Sequence, residues 1–287
     1  MGGLSKTIER LCEVSKNDYN NPYPYLQAWP RTLDPEQWFA SPELISLYET
    51  PEYERLSDAR KQRLSLYEAV NFFSLNIHGE KSLVEGLAKR LYEREKEEIS
   101  PYLHHFLDEE NKHMIYFAEF CIRYAGKIYP DKKVVFPRDY ESGEEDFLFF
   151  AKVLIFEEIV DVYNVRMSMD ETLAPVARQI NALHHRDEAR HLVFGRRLVT
   201  DLFHRYSPMW SAETLEGVRA YLKDYFVATW SEYYNPLVYQ DAGLDDPWEL
   251  REKAFRSPSG RRRRKKIAAG CVRYLLDNGI LTEEPPL

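Results

Sequence analysis

His184-His185-Arg186-Asp187-Glu188-Ala189-Arg190-His191 is the stretch on which the fold turns. It contains a Glu-x-x-His element, Glu188 to His191, and residues three apart share one face of a helix. His184 precedes Glu188 by four and falls on that same face. A second element lies upstream, Glu110-Asn111-Lys112-His113. One such element on an acidic helix arises readily by chance. Two, on separate helices, match a two-metal bundle, in which two helices each give Glu-x-x-His and the other two each give one inward glutamate. The expectation is therefore specific: two more helices, each with a glutamate on its apolar stripe.

The first is upstream of Glu110. From about 59 to 98 there is no proline, and Leu66, Val70, Phe73, Ile77, Val84, Leu87 and Leu91 recur at helical spacing. Glu80 sits in that stripe, where an ionised carboxylate is costly unless paired or metal-bound. Glu85 points about 140° round the helix, towards Lys81, Ser82 and Lys89, and reads as solvated. Ser100 followed by Pro101 reads as a cap and helix start, opening a second helix that runs to about Tyr124. A long connection follows, about 125 to 144, with Pro130, Pro137 and Gly143.

The third helix runs from about Glu145 to Met169 and the fourth from Pro175 to about Arg205. In the third, Glu157 continues the stripe of Phe150, Val153, Val160 and Asn164 and is preferred as the ligand. Glu158, one position round, stands as its neighbour and alternative. In the fourth, His184 is a candidate third imidazole and His185 a weaker one. Asp187, Arg190 and Asp161 are placed either to orient ligands through hydrogen bonds or to form plain ion pairs. Two helical hairpins joined by one long crossover give an all-α, ferritin-like four-helix bundle.

Outside 59–205, residues 1 to about 58 read as a proline-punctuated wrapping arm with short helices, anchored by Trp29, Trp38, Tyr48 and Tyr53. Residues 206–287 read as a C-terminal helical extension, with helices near 212–234 and 263–277. All 287 residues are expected to form a single domain. The run Arg261-Arg262-Arg263-Arg264-Lys265-Lys266 reads as a solvated helix start ahead of a nucleic-acid or lipid contact.

Composition narrows the function. A formal charge of −8 argues against a generally basic nucleic-acid binder. No stretch approaches the roughly 18 apolar residues that span a bilayer, and the N-terminus lacks a secretory pattern, so no membrane is expected. Cys12, Cys121 and Cys271 form no CxxC pair, which favours a reducing, cytoplasmic setting. GxGxxG, GxxxxGK[ST], HExxH and G-x-S-x-G motifs do not occur. Carboxylates with two or three imidazoles favour octahedral metals, iron first and manganese second.

These residues resemble the p-aminobenzoate N-oxygenase family of di-iron arylamine oxygenases. The likeness is carried by Ser46–Tyr53, His78-Gly79-Glu80, Leu107–His113, Phe156-Glu157-Glu158, His184–His191 and Asn235–Gly243. It implies seven iron ligands, which fall on Glu80, Glu110, His113, Glu157, His184, Glu188 and His191. It also implies a pair of iron ions cycling between Fe2+ and Fe3+, which activates O2 and delivers oxygen to an amine nitrogen. The partners it implies are O2, a small-molecule amine and an external electron donor, and a homodimer is compatible with it. Two other readings use the same site: a di-iron C–H hydroxylase or desaturase, and a ferritin-like iron-handling or peroxide-scavenging protein. The long arm and the C-terminal extension suit a substrate-enclosing enzyme better than an iron store.

Overall fold

The computed structural model describes residues 2–131 and 139–287, and among them every long element is a helix. Four carry the bundle: α4 (Asp58–Arg90), α5 (Ser100–Ala125), α6 (Glu144–Met169) and α7 (Pro175–Tyr206). Before them come α1 (Gly2–Asn17), α2 (Tyr23–Ala28) and α3 (Pro51–Glu54). After them come α8 (Ala212–Glu232), α9 (Pro236–Asp241), α10 (Pro247–Arg256) and α11 (Pro258–Asp277). α4 pairs with α5 and α6 with α7, and the two hairpins meet through α5–α7 and α4–α6. The crossover joins α5 to α6, so the ferritin-like bundle stands as expected; its middle, including Pro137, lies outside the described residues.

Local chemistry sets the helix ends. Ser57 caps α4 by accepting from Arg60 N, and Gly126, at φ 68°, ends α5 in the left-handed conformation that glycine takes without steric cost. α4 stops at Arg90, eight residues short of the expected 98, because Tyr92 and Glu95 adopt positive φ and break the helix. Ser100 is the first residue of α5 and not its cap; its hydroxyl donates to Lys96 O and accepts from Tyr92 N, closing the turn between the helices.

α4 and α6 approach closely through two glycines. A Cβ at Gly79 would lie 2.8 Å from the Phe156 ring, and one at Gly86 would lie 2.1 Å from the Phe149 ring. The later glycine meets the earlier phenylalanine, so the helices run antiparallel. Glu80 and Glu157 each sit one residue along from the Gly79–Phe156 contact and therefore share a level in the bundle.

The arm carries the short helices expected of it, and one longer one, the sixteen-residue α1. Ile8, Leu11, Cys12 and Ser15 are buried at helical spacing, and this face of α1 packs on α5 and α7. Of the four expected anchors, Trp29 is buried and donates from Nε1 to Gln179 (2.9 Å), and Trp38 O accepts from Ala174 N (2.7 Å). Tyr53 is buried against Tyr48. In the C-terminal region α8 matches its expected span, whereas α9 and α10 were not anticipated. α11 begins at Pro258, five residues before the expected 263, because Ser257 caps it by accepting from Gly260 N. No described helix is long and apolar enough to cross a membrane.

Candidate metal centre

Each bundle helix brings carboxylates to one level of the core. Glu80 comes from α4, Glu110 and His113 from α5, Glu157 from α6, and His184, Glu188 and His191 from α7. All seven side chains are buried. Three groups of them bring one donor atom each within 4.8 Å of one another: Glu80 with His113 and His184, Glu110 with His113 and Glu188, and Glu110 with Glu157 and His191. Glu188 Oε1 is central, 2.8 Å from His184 Nε2, 3.3 Å from His191 Nδ1 and 3.6 Å from His113 Nδ1. Glu110 Oε1 lies 2.9 Å from His191 Nδ1 and 3.7 Å from His113 Nδ1.

The imidazoles are held from behind. Asp187 Oδ2 meets His113 Nε2 at 3.1 Å, and Glu109 Oε2 meets His191 Nε2 at 2.9 Å. A ring that donates its outer N–H to a carboxylate presents the other nitrogen's lone pair inward, the form that binds a metal. Arg190 Nη2 donates to both carboxylates, 2.6 Å to Asp187 and 2.7 Å to Glu109. Asn164 Nδ2 faces His184 Nδ1 at 2.9 Å, and in this orientation Asn164 Oδ1 has no partner. With the carbonyl oxygen turned to the ring, Nδ1–H donates to it and Nε2 is free to face Glu80 and Glu188.

Glu80 and Glu157 differ from the rest: neither oxygen of either carboxylate has a hydrogen-bond partner. A buried, unpaired carboxylate costs several kcal/mol, so a cation among these groups fits the chemistry of the donor set. The electrostatics agree. Burial, reinforced by Glu110, pushes Glu80 well above the usual carboxylate range, and burial with Glu188 does the same to Glu157. Burial alone would raise Glu188 too, but His191 and His184 outweigh it and hold it well below the usual range. Burial alone would lower His113 and His191, yet the carboxylates around them raise both well above an ordinary histidine. Burial lowers His184.

The model of the p-aminobenzoate N-oxygenase family, AurF, matches residues 3–279. The chain belongs to that family. It is thus a di-metal oxygenase enzyme. No curated protein matches the chain. Solved structures similar to it include forms of the R2-like ligand-binding oxidase with a reconstituted Mn/Fe cofactor. Their identities are 15–16% and their TM-scores 0.46–0.49, over 92% of this chain and 93% of each of theirs.

Several neighbours of the AurF-family site fall elsewhere than their sequence positions suggested. Glu158, the alternative to Glu157, turns to Arg196 in an ion pair. His185 leaves the centre and bonds Asp161 at 2.6 Å, so Asp161 orients none of the seven. The reason is angular, since one position on a helix is about 100° of rotation. Asp187 and Arg190 do reach the histidines, the first directly and the second through carboxylates. Glu109 and Asn164 were missed as supports. The signal for Glu109 was available, because it stands before Glu110 as Asp187 stands before Glu188. Asn164 continues the stripe of Glu157, seven residues on, which is nearly two full turns.

Proposed function

We propose that the chain is an O2-dependent di-iron N-oxygenase acting on an aromatic or related amine. The observation that carries the reading is the pair Glu80 and Glu157, buried carboxylates without a hydrogen bond that face three imidazoles and two more carboxylates. In this reading Glu80, His113 and His184 would hold one iron, and Glu110, Glu157 and His191 the other, with Glu188 within reach of all three imidazoles. Four carboxylates and three imidazoles suit iron ahead of manganese, and zinc least, because zinc prefers fewer ligands.

When bound, the pair supplies the activation of O2, and the protein supplies placement and shelter. Asp187 and Glu109 fix the inward tautomers of His113 and His191, and Asn164 does so for His184. Phe106 stacks on His191 at 3.9 Å between centroids, and Phe117 meets His184 edge-on at 5.0 Å. These rings keep water from the histidine side of the centre. The balanced reaction takes an amine R–NH2, O2, two electrons and two protons to R–NHOH and water. An external donor supplies the electrons. The three cysteines, buried and unpaired, suit a reducing cytoplasmic setting.

Metal analysis of the purified protein should give about two irons per chain. Incubation of the reduced protein with O2 and a panel of arylamines, read by mass spectrometry, should place one added oxygen on nitrogen. Oxygen found on carbon would sink the N-oxygenase reading. A metal-free protein that still turned over would sink the site as well.

A further inference from the structure

The basic run on α11 has no part in the metal centre. From Arg261 to Arg273 the helix carries seven Lys and Arg and no acid, in a chain of net charge −8. The fold sorts these cations in two. Arg264 is buried and Arg263 half-buried, and both donate to Tyr234 Oη, at 3.0 and 3.3 Å; Arg263 also donates to Ser46 O at 2.7 Å. Their inward course corrects the expectation of a wholly solvated run. Arg261, Arg262, Lys265, Lys266 and Arg273 stay exposed, along one stripe about 18 Å long. Arg262 meets Glu49 at 3.2 Å and Lys265 meets Glu284 at 4.0 Å, pairs more than half exposed at both ends and therefore weak. Arg261, Lys266 and Arg273 meet no acid among the described residues.

Beneath this stripe starts a continuous series of aromatic contacts. Arg263 and Arg264 both bond Tyr234, and the ring of its chain neighbour Tyr233 lies 5.1 Å from that of Tyr163. From Tyr163 the rings touch in sequence: Phe72 at 5.1 Å, Phe73 at 5.7 Å, Phe117 at 5.1 Å and His184 at 5.0 Å, each from the one before. Electron tunnelling weakens steeply across gaps and less steeply through packed atoms. A line of touching rings ending on a proposed ligand is therefore a favoured route into the centre.

We propose that the exposed basic stripe of α11 docks an acidic one-electron carrier protein, whose electrons pass along Tyr163, Phe72, Phe73, Phe117 and His184. The inference rests on the di-iron reading above. A convex stripe of five cations this long exceeds what a phosphate group spans and matches the acidic face of a small protein. Two carriers are each oxidised by one electron for every amine oxidised. With two protons, those electrons take one oxygen atom of O2 to water while the other bonds to the amine nitrogen.

The probe is an acidic plant-type [2Fe–2S] ferredoxin, a low-potential one-electron donor. Its binding to the iron-loaded full chain, measured by calorimetry, should weaken about tenfold between low and moderate salt. The double variant Arg261→Glu, Lys266→Glu should weaken it about tenfold again. Dithionite should still reduce that variant at the parental rate. Phe72→Leu should leave ferredoxin binding unchanged and slow the reoxidation of reduced ferredoxin several-fold. Binding indifferent to salt and to charge reversal overturns the docking surface, as does tighter binding of RNA or anionic vesicles to the stripe. Unchanged electron transfer in Phe72→Leu overturns the route. Amine oxygenation driven by dithionite is read separately, so its failure strikes the proposed function and not the docking surface.

Discussion

α5 and α7 carry the same ladder of residues and differ at two rungs. Glu109 and Asp187 correspond, as do Glu110 and Glu188, and His113 and His191. Each acid that precedes a motif glutamate crosses to the other helix: Asp187 of α7 supports His113 of α5, and Glu109 of α5 supports His191 of α7. This half of the arrangement is close to a two-fold swap. The rung four before the glutamate breaks it, being His184 in α7 and Phe106 in α5. The rung before the histidine breaks it again. Arg190 ties Asp187 to Glu109, whereas the buried Lys112 pairs with Asp108 on its own helix and lies over the Tyr19 ring at 3.7 Å. A symmetric frame thus builds two unequal positions, one faced by two imidazoles and one by a single imidazole under a phenyl ring. Unequal positions suit the proposed reaction, in which O2 and an amine would approach the pair differently.

The largest effects should come from the residues shared by neither ladder. Glu80→Ala and Glu157→Ala each remove a carboxylate that meets the centre from α4 or α6. Each should drop iron occupancy sharply and abolish turnover, whereas the exposed Glu85→Ala should leave both unchanged. Metal analysis of the three variants decides it. Equal iron in Glu80→Ala and Glu85→Ala would refute the facing assigned to α4.

The next test acts on the rung that breaks the symmetry. His184→Phe makes α7 resemble α5 at that position. It should cost the ion held with Glu80 and His113 more than the other, giving roughly one iron per chain in place of about two. Phe106→His makes the converse change. It should retain both irons and alter the spectrum of the reduced centre, because a new donor replaces the ring stacked on His191. Full iron content with an unchanged spectrum in His184→Phe would remove His184 from the ligand set.

How far the sequence revealed these features follows from their physics. Spacing alone identified the four bundle helices and the two Glu-x-x-His elements, because three-residue and four-residue separations fix shared faces wherever a helix forms. It separated Glu80 from Glu85, and Glu157 from Glu158, by the same angular reasoning. The break at Tyr92 was invisible, since no glycine or proline marks it and the left-handed residues there are Tyr92 and Glu95. The exchange of acids between α5 and α7 was equally hidden, because it depends on how two distant helices face each other. The sixteen-residue length of α1 went unread within an arm expected to hold only short helices, because its four buried residues are a thin stripe in a polar segment.

A smaller effect tests the crossed supports. Asp187→Asn and Glu109→Gln keep the shape of each contact and remove its charge. Either should lower iron affinity by about 10- to 100-fold, the range for the outer partner of a ligating histidine. If the swap is real, Asp187→Asn should weaken the ion bound by His113, and Glu109→Gln the ion bound by His191. Competition titration with a chelator, followed by a spectrum of the half-loaded protein, reads which ion leaves first. The same ion leaving in both variants would break the symmetry argument.

The smallest effect is read with the metal removed, and it concerns pH. Glu80 and Glu157 are held above the ordinary carboxylate value of 4.5, and His113 and His191 above the ordinary histidine value of 6.5. Each group keeps a proton in the folded chain that it loses in the unfolded one. The unfolded state therefore binds fewer protons, and stability falls as pH rises. Their contribution is complete below the unfolded values and is lost as pH climbs through the raised ones. Glu188, Glu109 and Asp187 are shifted the other way, so their share is complete above the ordinary carboxylate range and is lost in acid. His184, lowered by burial, gains its share as pH passes 6.5. Above that point the raised groups remain alone, and the melting temperature of the metal-free protein should decline from neutral towards alkaline pH. A metal pair would take the place of those protons, so the loaded protein should decline less steeply; Glu68, raised by burial to about 7 away from the centre, keeps its share in both forms. A metal-free protein as stable at pH 9 as at pH 7 would mean that the frame tolerates four buried, ionised carboxylates without a cation. In that case the lone pairs of Glu80 and Glu157 would no longer argue for a metal pair.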